Sequence, residues 1–513
     1  MRGPSAIDHP ADVLRLTAPH RRIGSLVLLV IALAVPRAAY AHGRLKGSLP
    51  AAGAHLAQVP SQLRLDFSES PDLTFSTVRL AGPDGQEVPL GAIEYAADSH
   101  RSLVVAIAAA MAPGTYTIVW QMTGDDGHPV RGKIEFVVAP GAMGVGVTPV
   151  GVTVARPDGG AQPRSDAATA GMHHDPVSMP EGNGFGAESI VYVLIRWAQF
   201  VALLMVIGAV SFHTFVLASI RRDPASAARP GETALLPAVE SRAAQVGRVA
   251  AIVLAATLLA RLVAQSYAMH GAGNPFDPAL MGPMIGRTMW GWGWLLQLLG
   301  IALAGVGFHR ARHLRAGEGS AEGRASRHLW WRVAGLGAVL LAFSPGLSSH
   351  ASAAPRMRAL AMLADGLHVL GASSWLGTLS VVLFAGLSVR IIDRSSAGGA
   401  FVRDLINAFS PIALVSAGIA ATTGVFAAWL HVGTVPNLWG TRYGITLLVK
   451  LGVLGIVAVT GFYNWRFVQP RLGTPESTTH LRRSARVEVA VAVIVLLITA
   501  VLVASPTSMD MVM

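Results

Sequence analysis

Cysteine is absent from all 513 residues, so the chain can form neither a disulfide nor a thiolate metal site. Any metal it holds must be bound by imidazole, carboxylate, thioether or backbone nitrogen. Charge is also scarce: Asp, Glu, Lys and Arg make up 13% of the residues against 52% apolar, and the mean hydropathy is +0.50. That balance excludes an ordinary soluble protein. Acidic residues are the scarcer, 29 against 40 basic, for a net charge of +11. The basic residues are scattered among the connections between apolar runs and line no single soluble face, which argues against nucleic acid as a partner. There is no Gly-x-x-x-x-Gly-Lys-Ser/Thr phosphate loop and no aspartyl-phosphate motif, so nothing in the chain is built to consume ATP.

The first feature present is a segment with signal-peptide proportions. Ile23 to Ala34 is apolar but shorter than the roughly 20 residues that span a bilayer; Arg21-Arg22 precedes it and Ala39-Tyr40-Ala41 follows with the small-x-small form of a cleavage site. Residues 1–41 are therefore expected to be removed on export, and the mature chain then begins at His42. An N-terminal histidine offers its α-amine and its ring Nδ1 to one metal ion as a chelate, and two nitrogens in cis suit tetragonal Cu(II). Further ligands lie in the loop Asp125-Asp126-Gly127-His128-Pro129, where a carboxylate and an imidazole could complete an N,N,N,O plane.

Residues 42–139 carry short alternating runs such as Leu63-Arg64-Leu65-Asp66-Phe67 and Tyr116 to Trp120, separated by turn signals at Gly82-Pro83-Asp84-Gly85 and Ala112-Pro113-Gly114. About seven short strands in about a hundred residues predict a β-sandwich. Residues 140–188, rich in Gly, Pro and Ala, predict a flexible linker. From 189 to 504 come eight apolar segments, each long enough to span, near 189–220, 246–268, 290–308, 330–349, 359–389, 405–430, 444–465 and 486–504. Arg221, Arg222, Arg229, Arg242 and Arg248, then Arg310 to Arg332, Arg390 to Arg403, and Arg466 to Arg486 fall in alternate connections. The other connections hold only Arg287, Arg356, Arg358 and Arg442, so the positive-inside rule places both mature termini, including the tail 505–513 with Met509, Met511 and Met513, outside.

His42 with Leu45-Lys46-Gly47-Ser48-Leu49-Pro50, Leu65-Asp66-Phe67-Ser68-Glu69, Gly114-Thr115-Tyr116 and Asp126-Gly127-His128-Pro129-Val130-Arg131-Gly132 resembles the periplasmic copper proteins of the CopC family over the whole of 42–139. The resemblance implies a cupredoxin-like or immunoglobulin-like sandwich with Cu(II) held by His42, Asp126 and His128, and Glu69 beside them. Asp125 could replace Asp126. No methionine cluster matches the Cu(I) site of some relatives, and Met111 and Met122 are expected to be core residues. The helical half resembles the CopD family through Asp365-Gly366-Leu367-His368-Val369-Leu370-Gly371-Ala372-Ser373-Ser374-Trp375-Leu376-Gly377, Tyr443-Gly444 and Leu448-Val449-Lys450. The fold expected is thus an all-β cupredoxin/immunoglobulin-like sandwich joined to an all-α polytopic membrane domain of eight transmembrane helices.

The topology places His270, His350 and His431 at the outer ends of helices two, four and six, with His368 a few turns inside helix five. Asp365 and His368, three apart, share a face. A carboxylate near mid-bilayer costs up to about 3 kcal/mol and so faces a partner or a cavity. These five residues are the expected outward-facing copper site, for Cu(I) or Cu(II). Met172, His173, His174 and Met179 in the linker are candidates for a relay, Met269, Met281, Met284 and Met289 could supply soft ligands, and Trp290, Trp292 and Trp294 are expected to form an interfacial belt. His309 and His313 could aid release, while His213 has no role that the sequence suggests.

The expected function is copper acquisition across a bacterial inner membrane, with capture by the exported domain and import through the helices. The alternatives are periplasmic copper buffering or resistance, efflux, and a copper- or haem-dependent oxidoreductase. The partners expected are copper ions, the lipid bilayer, and periplasmic copper chaperones or cytoplasmic copper acceptors.

Overall fold

The computed structural model describes residues 45–144 and 189–505, apart from 69, 74 and 124–128 in the first stretch and connections within 225–233, 271–275, 314–320, 348–356, 388–397 and 472–474 in the second. The expected signal segment and residues 145–188 of the expected linker lie outside the described residues, while 140–144, expected as the start of the linker, belong to the last strand of the sandwich.

The first stretch forms β1 (Leu45–Leu49), β2 (His55–Val59), β3 (Gln62–Phe67), β4 (Thr77–Ala81), β5 (Glu87–Val88), β6 (Leu90–Ala96), β7 (Ser99–Ile107), β8 (Gly114–Thr123) and β9 (Pro129–Gly144). Two sheets result, ordered β1-β3-β7-β6 and β2-β9-β8-β4-β5. The alternation seen in the sequence sets which side chains face inward, because successive residues of a strand point to opposite faces. Leu63, Leu65 and Phe67 of β3 meet Tyr116, Ile118, Trp120 and Met122 of β8 in one core. Met111 and Met122 are both buried there, as packing residues. Phe67 meets Trp120 edge-on at 5.3 Å between centroids. Across β8–β9, Gly132 is the partner of Trp120, and a Cβ at 132 would stand 2.4 Å from the indole. β9 continues into the Gly- and Pro-rich segment, because Gly141 takes a positive φ of 84° and the strand pairs again with β2 at Gln58↔Met143 after a register shift.

The second stretch contains eight helices long and apolar enough to cross a membrane: α1 (Ile190–Arg222), α2 (Leu236–His270), α3 (Met289–His313), α4 (Ala325–Leu347), α5 (Ala359–Gly386), α6 (Gly398–Val432), α7 (Arg442–Val468) and α8 (Thr479–Ala504). A short helix, Pro278–Arg287, precedes α3 and is capped by Asp277 Oδ1 accepting from the Ala279 amide at 2.9 Å. α1 and α5 each contain a π-helical turn, at Phe212–Leu217 and Ser373–Gly377. The two helices cross so closely that a Cβ on Gly377 would lie 2.2 Å from the Leu204 carbonyl oxygen, and one on Gly208 2.3 Å from the Gly377 carbonyl carbon. Ser211 and Ser374 hydroxyls bond across the same crossing at 2.9 Å. Glycine and serine there are what let two helical backbones touch.

One expectation is corrected. Trp290 and Trp294 are buried, with only 1% and 9% of their surface exposed, while Trp292 is 55% exposed. At 100° per residue the first and third share a helix face and the second points the opposite way. Trp294 Nε1 donates to the Leu258 carbonyl at 3.1 Å, so two of the three belong to the bundle core rather than to a lipid-facing belt.

Candidate metal centre

The sandwich meets the helices through the hairpin that would carry half of the soluble copper site. Gln121 and Arg131 are cross-strand partners on β8 and β9, two pairs from Thr123↔Pro129, the last pair of the ladder. Arg131 Nε donates to Gln121 Oε1 at 2.7 Å. From this pair, Arg131 Nη2 donates to the Ala268 carbonyl at 3.0 Å and Gln121 Nε2 to the Met269 carbonyl at 3.3 Å. Those carbonyls belong to the last turn of α2, where helical acceptors lack an internal partner and the helix dipole is negative, so a guanidinium is suited to them. Phe75, just before β4, is 5% exposed and joins the apolar cluster of the helical half together with Met269, Met284, Trp290 and Trp294. Its carbonyl accepts from Thr123 Oγ1 at 3.3 Å, which ties the apolar plug to the hairpin. Replacing Arg131 by alanine removes a charge-assisted bond worth about 1.5–3 kcal/mol; protease accessibility of the sandwich should rise while its own unfolding midpoint stays unchanged.

His42, Glu69, Asp126 and His128 lie outside the described residues, as do Met172, His173, His174, Met179 and His350. His270 closes α2 one residue beyond the clamped carbonyls. Among the described residues no group of three or more His, Asp or Glu side chains is close enough to hold a metal ion.

The helical half does gather part of the expected set. His368 on α5 points at α6, its Nδ1 2.9 Å from the Ala420 carbonyl and 3.2 Å from Thr423 Oγ1. The carbonyl can only accept, so Nδ1 carries the proton and Nε2 is left with a lone pair. Gly424 makes room for the ring: a Cβ there would stand 3.1 Å from His368 Cε1. Asp365, one turn away on the same helix, acts electrostatically on Tyr443 and Lys450 of α7, and Lys450 acts on His368. The His431 ring meets Tyr443 at 6.1 Å between centroids. Asp365, His368, His431, Tyr443 and Lys450 thus form one polar neighbourhood between α5, α6 and α7. Lys450 and Tyr443 had been visible in the sequence only as parts of a resemblance.

At the inner end, His213 acquires a setting. Its ring stacks on Trp331 at 4.0 Å and 1°, and Nδ1 lies 3.3 Å from Glu240 Oε1 without hydrogen-bond alignment. Arg221 closes on Glu240 Oε2 at 2.6 Å, and Arg327 approaches it at 3.9 Å. These charges pin α1, α2 and α4 together. His309 and His313 face each other at 4.5 Å on the exposed inner end of α3.

A soluble two-sheet sandwich clamped onto the outer end of an eight-helix bundle defines the class: a polytopic membrane protein with an exported domain docked on its outer face. The chain belongs to the copper-handling CopC and CopD families, as a fusion of the two. The CopC domain family matches residues 45–139, the family described as Copper resistance protein D-like, N-terminal domain, matches 187–359, and Copper resistance protein D matches 403–502. Copper transport protein CutJ of Bacillus subtilis is 23% identical over 485 residues, covering 94% of this chain and 77% of that protein. Copper resistance protein C of Xanthomonas campestris pv. juglandis is 30% identical over 123 residues, covering 23% of this chain and 96% of that protein. The crystal structure of CopC from Methylosinus trichosporium OB3b is 29% identical, covering 19% of this chain and 95% of that one, with a TM-score of 0.18. The protein is therefore an inner-membrane copper transport and resistance protein with a periplasmic domain, and not an enzyme.

Proposed function

We propose that this chain acquires copper: Cu(II) is captured in the periplasm by His42, Asp126 and His128 with Glu69 beside them, handed to the membrane half, and passed inward. The observation that carries this reading is the clamp of Gln121 and Arg131 on the carbonyls of Ala268 and Met269. It seats the base of the ligand-bearing hairpin on the outer end of α2, so transfer needs no diffusion of a loaded domain. A relative aligned along nearly the whole chain carries the name of a copper transport protein, which supports the same reading.

In the membrane half, Asp365 supplies the negative charge that makes a cation tolerable and His368 Nε2 a nitrogen donor. Lys450 balances Asp365 when copper is absent, and His431 with Tyr443 stands at the outer side of the group. Signal cleavage after Ala41 is required, because only then does His42 acquire the α-amine that completes its chelate. The cation moves down its gradient in an inside-negative cell, gaining about 2.3 kcal/mol per charge per 100 mV, so import needs no nucleotide site.

The test is accumulation of radioactive copper by cells expressing wild type, His42→Ala with cleavage verified, and Arg131→Ala at matched membrane levels. Both variants should accumulate less at scarce copper and match wild type when copper is abundant. Accumulation that is unchanged or raised at every concentration would replace import by buffering or efflux.

A further inference from the structure

The eight spans hold four acids, Glu240, Asp365, Asp404 and Glu488, and three of them answer a cation. Arg221 closes on Glu240 at 2.6 Å, Arg229 on Asp404 at 3.2 Å, and Lys450 and Asp365 act on one another electrostatically. Glu488, toward the inner end of α8, is the exception. It is 6% exposed, and its hydrogen-bond partner is neutral: Asn464 Nδ2, near the inner end of α7, donates to Glu488 Oε1. Ser484, one turn earlier on α8, donates from Oγ to Asn464 Oδ1 at 2.8 Å. That contact uses the acceptor of the amide and leaves its donor side turned to the carboxyl. Asn464 also opens a π-helical turn, Asn464–Val468, a local irregularity of the kind that recurs at functional positions in helices.

The elements packed on α8 bring no countercharge to this carboxyl. The stretches 200–211 of α1 and 373–386 of α5 hold no Asp, Glu, His, Lys or Arg. α7 brings Tyr463 and Arg466, both exposed, and Arg466 stands over the Phe467 ring at 5.6 Å. α6 brings Arg403 beside the paired Asp404. On α8 itself, His480, Arg482, Arg483 and Arg486 lie between the inner end and Glu488. Among the described residues none of these forms an ion pair with Glu488, and the one side chain that acts on it is Asn464. An ionised carboxylate taken out of water without a cation costs more than one hydrogen bond from an amide returns. A carboxylic acid is neutral, and its carbonyl oxygen still accepts from the same amide. A bound proton therefore satisfies this arrangement, and it needs no cavity.

We infer that Glu488 is a proton-binding site at the inner end of the membrane half, with Asn464 and Ser484 holding its carboxyl, and that a copper ion moving inward displaces the proton. On release the O–H bond of the acid breaks, its electron pair stays on the carboxylate oxygen, and the proton passes to cytoplasmic water; nothing is oxidised or reduced. The displacement rests on the reading that copper passes inward, whereas the proton site does not. Lys450 and Asn464 are 14 positions apart on α7, about four turns or roughly 21 Å. Inward from the Asp365 group, Glu488 is thus the acid that has no cation of its own. A copper ion arriving there gains a carboxylate as the proton leaves, and the proton returns from the cytoplasm once the ion has gone. Protons on the cytoplasmic side consequently oppose copper passage.

The experiment has two arms, both on the full chain. In phosphatidylcholine nanodiscs at neutral pH, the infrared spectrum should contain a protonated-carboxyl carbonyl band that shifts in heavy water and is missing from Glu488→Gln, a variant whose carboxamide has the shape of the neutral acid. Asn464→Leu, which removes the hydrogen bond to that carbonyl, should move the band to higher frequency without abolishing it; this readout stands even if Glu488→Gln fails to assemble. In phosphatidylcholine liposomes with the sandwich outside, uptake of radioactive copper by wild type should fall as the internal pH is lowered, by up to about tenfold per pH unit where one proton competes with one ion. Uptake by Glu488→Gln should not follow internal pH. A spectrum unchanged in both variants overturns the proton site. A band that behaves as expected, with the same dependence on internal pH in wild type and Glu488→Gln, overturns the displacement by copper. Wild type that takes up no copper at any pH overturns import and the displacement with it, while the infrared arm still decides the proton site.

Discussion

Gly377→Leu is expected to abolish the assembled membrane half, the largest effect of any single substitution considered. The Cβ would lie 2.2 Å from the Leu204 carbonyl oxygen and 3.1 Å from the Gly208 Cα. The obstruction is helical backbone on both sides, which cannot rotate out of the way as a side chain can. Overpacking into a core that can adjust costs about 1–3 kcal/mol, and here nothing adjusts, so the cost should exceed that range. The crossing also sets the position of α5, and with it the height and rotation of Asp365 and His368 on the same helix. Detergent-solubilised Gly377→Leu should lose its monodisperse peak in size-exclusion chromatography, and Gly377→Ala should retain part of it with a lowered unfolding temperature. A Gly377→Leu protein that is monodisperse and melts like wild type would show that α1 and α5 do not meet at this point.

The second large effect is expected at His368. Its Nδ1 is held by the Ala420 carbonyl and Thr423 Oγ1, which fixes the tautomer and aims Nε2 away from α6. Loss of the group that orients a metal-binding histidine typically costs 10–100-fold in affinity or activity. Thr423→Val leaves the carbonyl in place, so copper uptake should fall by no more than about tenfold. His368→Gln keeps a polar side chain but removes the imidazole, and it should fall further, to background. Gly424→Val, which puts methyl groups against the ring, should resemble Thr423→Val if orientation is what matters. These uptake rates are to be compared at equal membrane abundance. If His368→Gln transports normally, the polar group between α5, α6 and α7 is a packing device, and the membrane ligands must be sought elsewhere.

The two glycine positions show how differently sequence and structure speak about the same residues. Gly377 ends the motif from Asp365 that carries the CopD resemblance, yet nothing in its spacing says why glycine stands there; the reason is a neighbour 169 positions earlier in the chain, at Gly208. Gly132, likewise part of a motif, is explained by Trp120 across the β8–β9 ladder. The polar side chains inside apolar runs were a signal available beforehand. Asn464 and Glu488 both lie in predicted spans, where a charged or amide group normally faces a partner, but a search directed at clusters of metal-binding side chains passes over a single acid and an amide. The clamp formed by Gln121 and Arg131 had no such signal. A basic residue near a turn is ordinary on a strand, and its acceptors are main-chain carbonyls more than a hundred positions away, which no side-chain pattern encodes.

What the sequence determined by itself was whatever depends on local period and local composition. Alternation of period two specified the sandwich and its inward-facing residues, runs of about twenty apolar residues specified the eight spans, and arginine asymmetry specified their orientation, because each of these is imposed by solvent or bilayer on the chain one segment at a time. The same holds for the absence of thiolate chemistry, which follows from composition alone. What only the tertiary structure decided was which of these segments touch: the hairpin on the end of α2, His368 against Ala420 and Thr423, and His213 between Trp331 and Glu240. Those pairings are set by the packing of distant surfaces against one another, where a side chain's partner is chosen by shape and burial and not by its place in the chain.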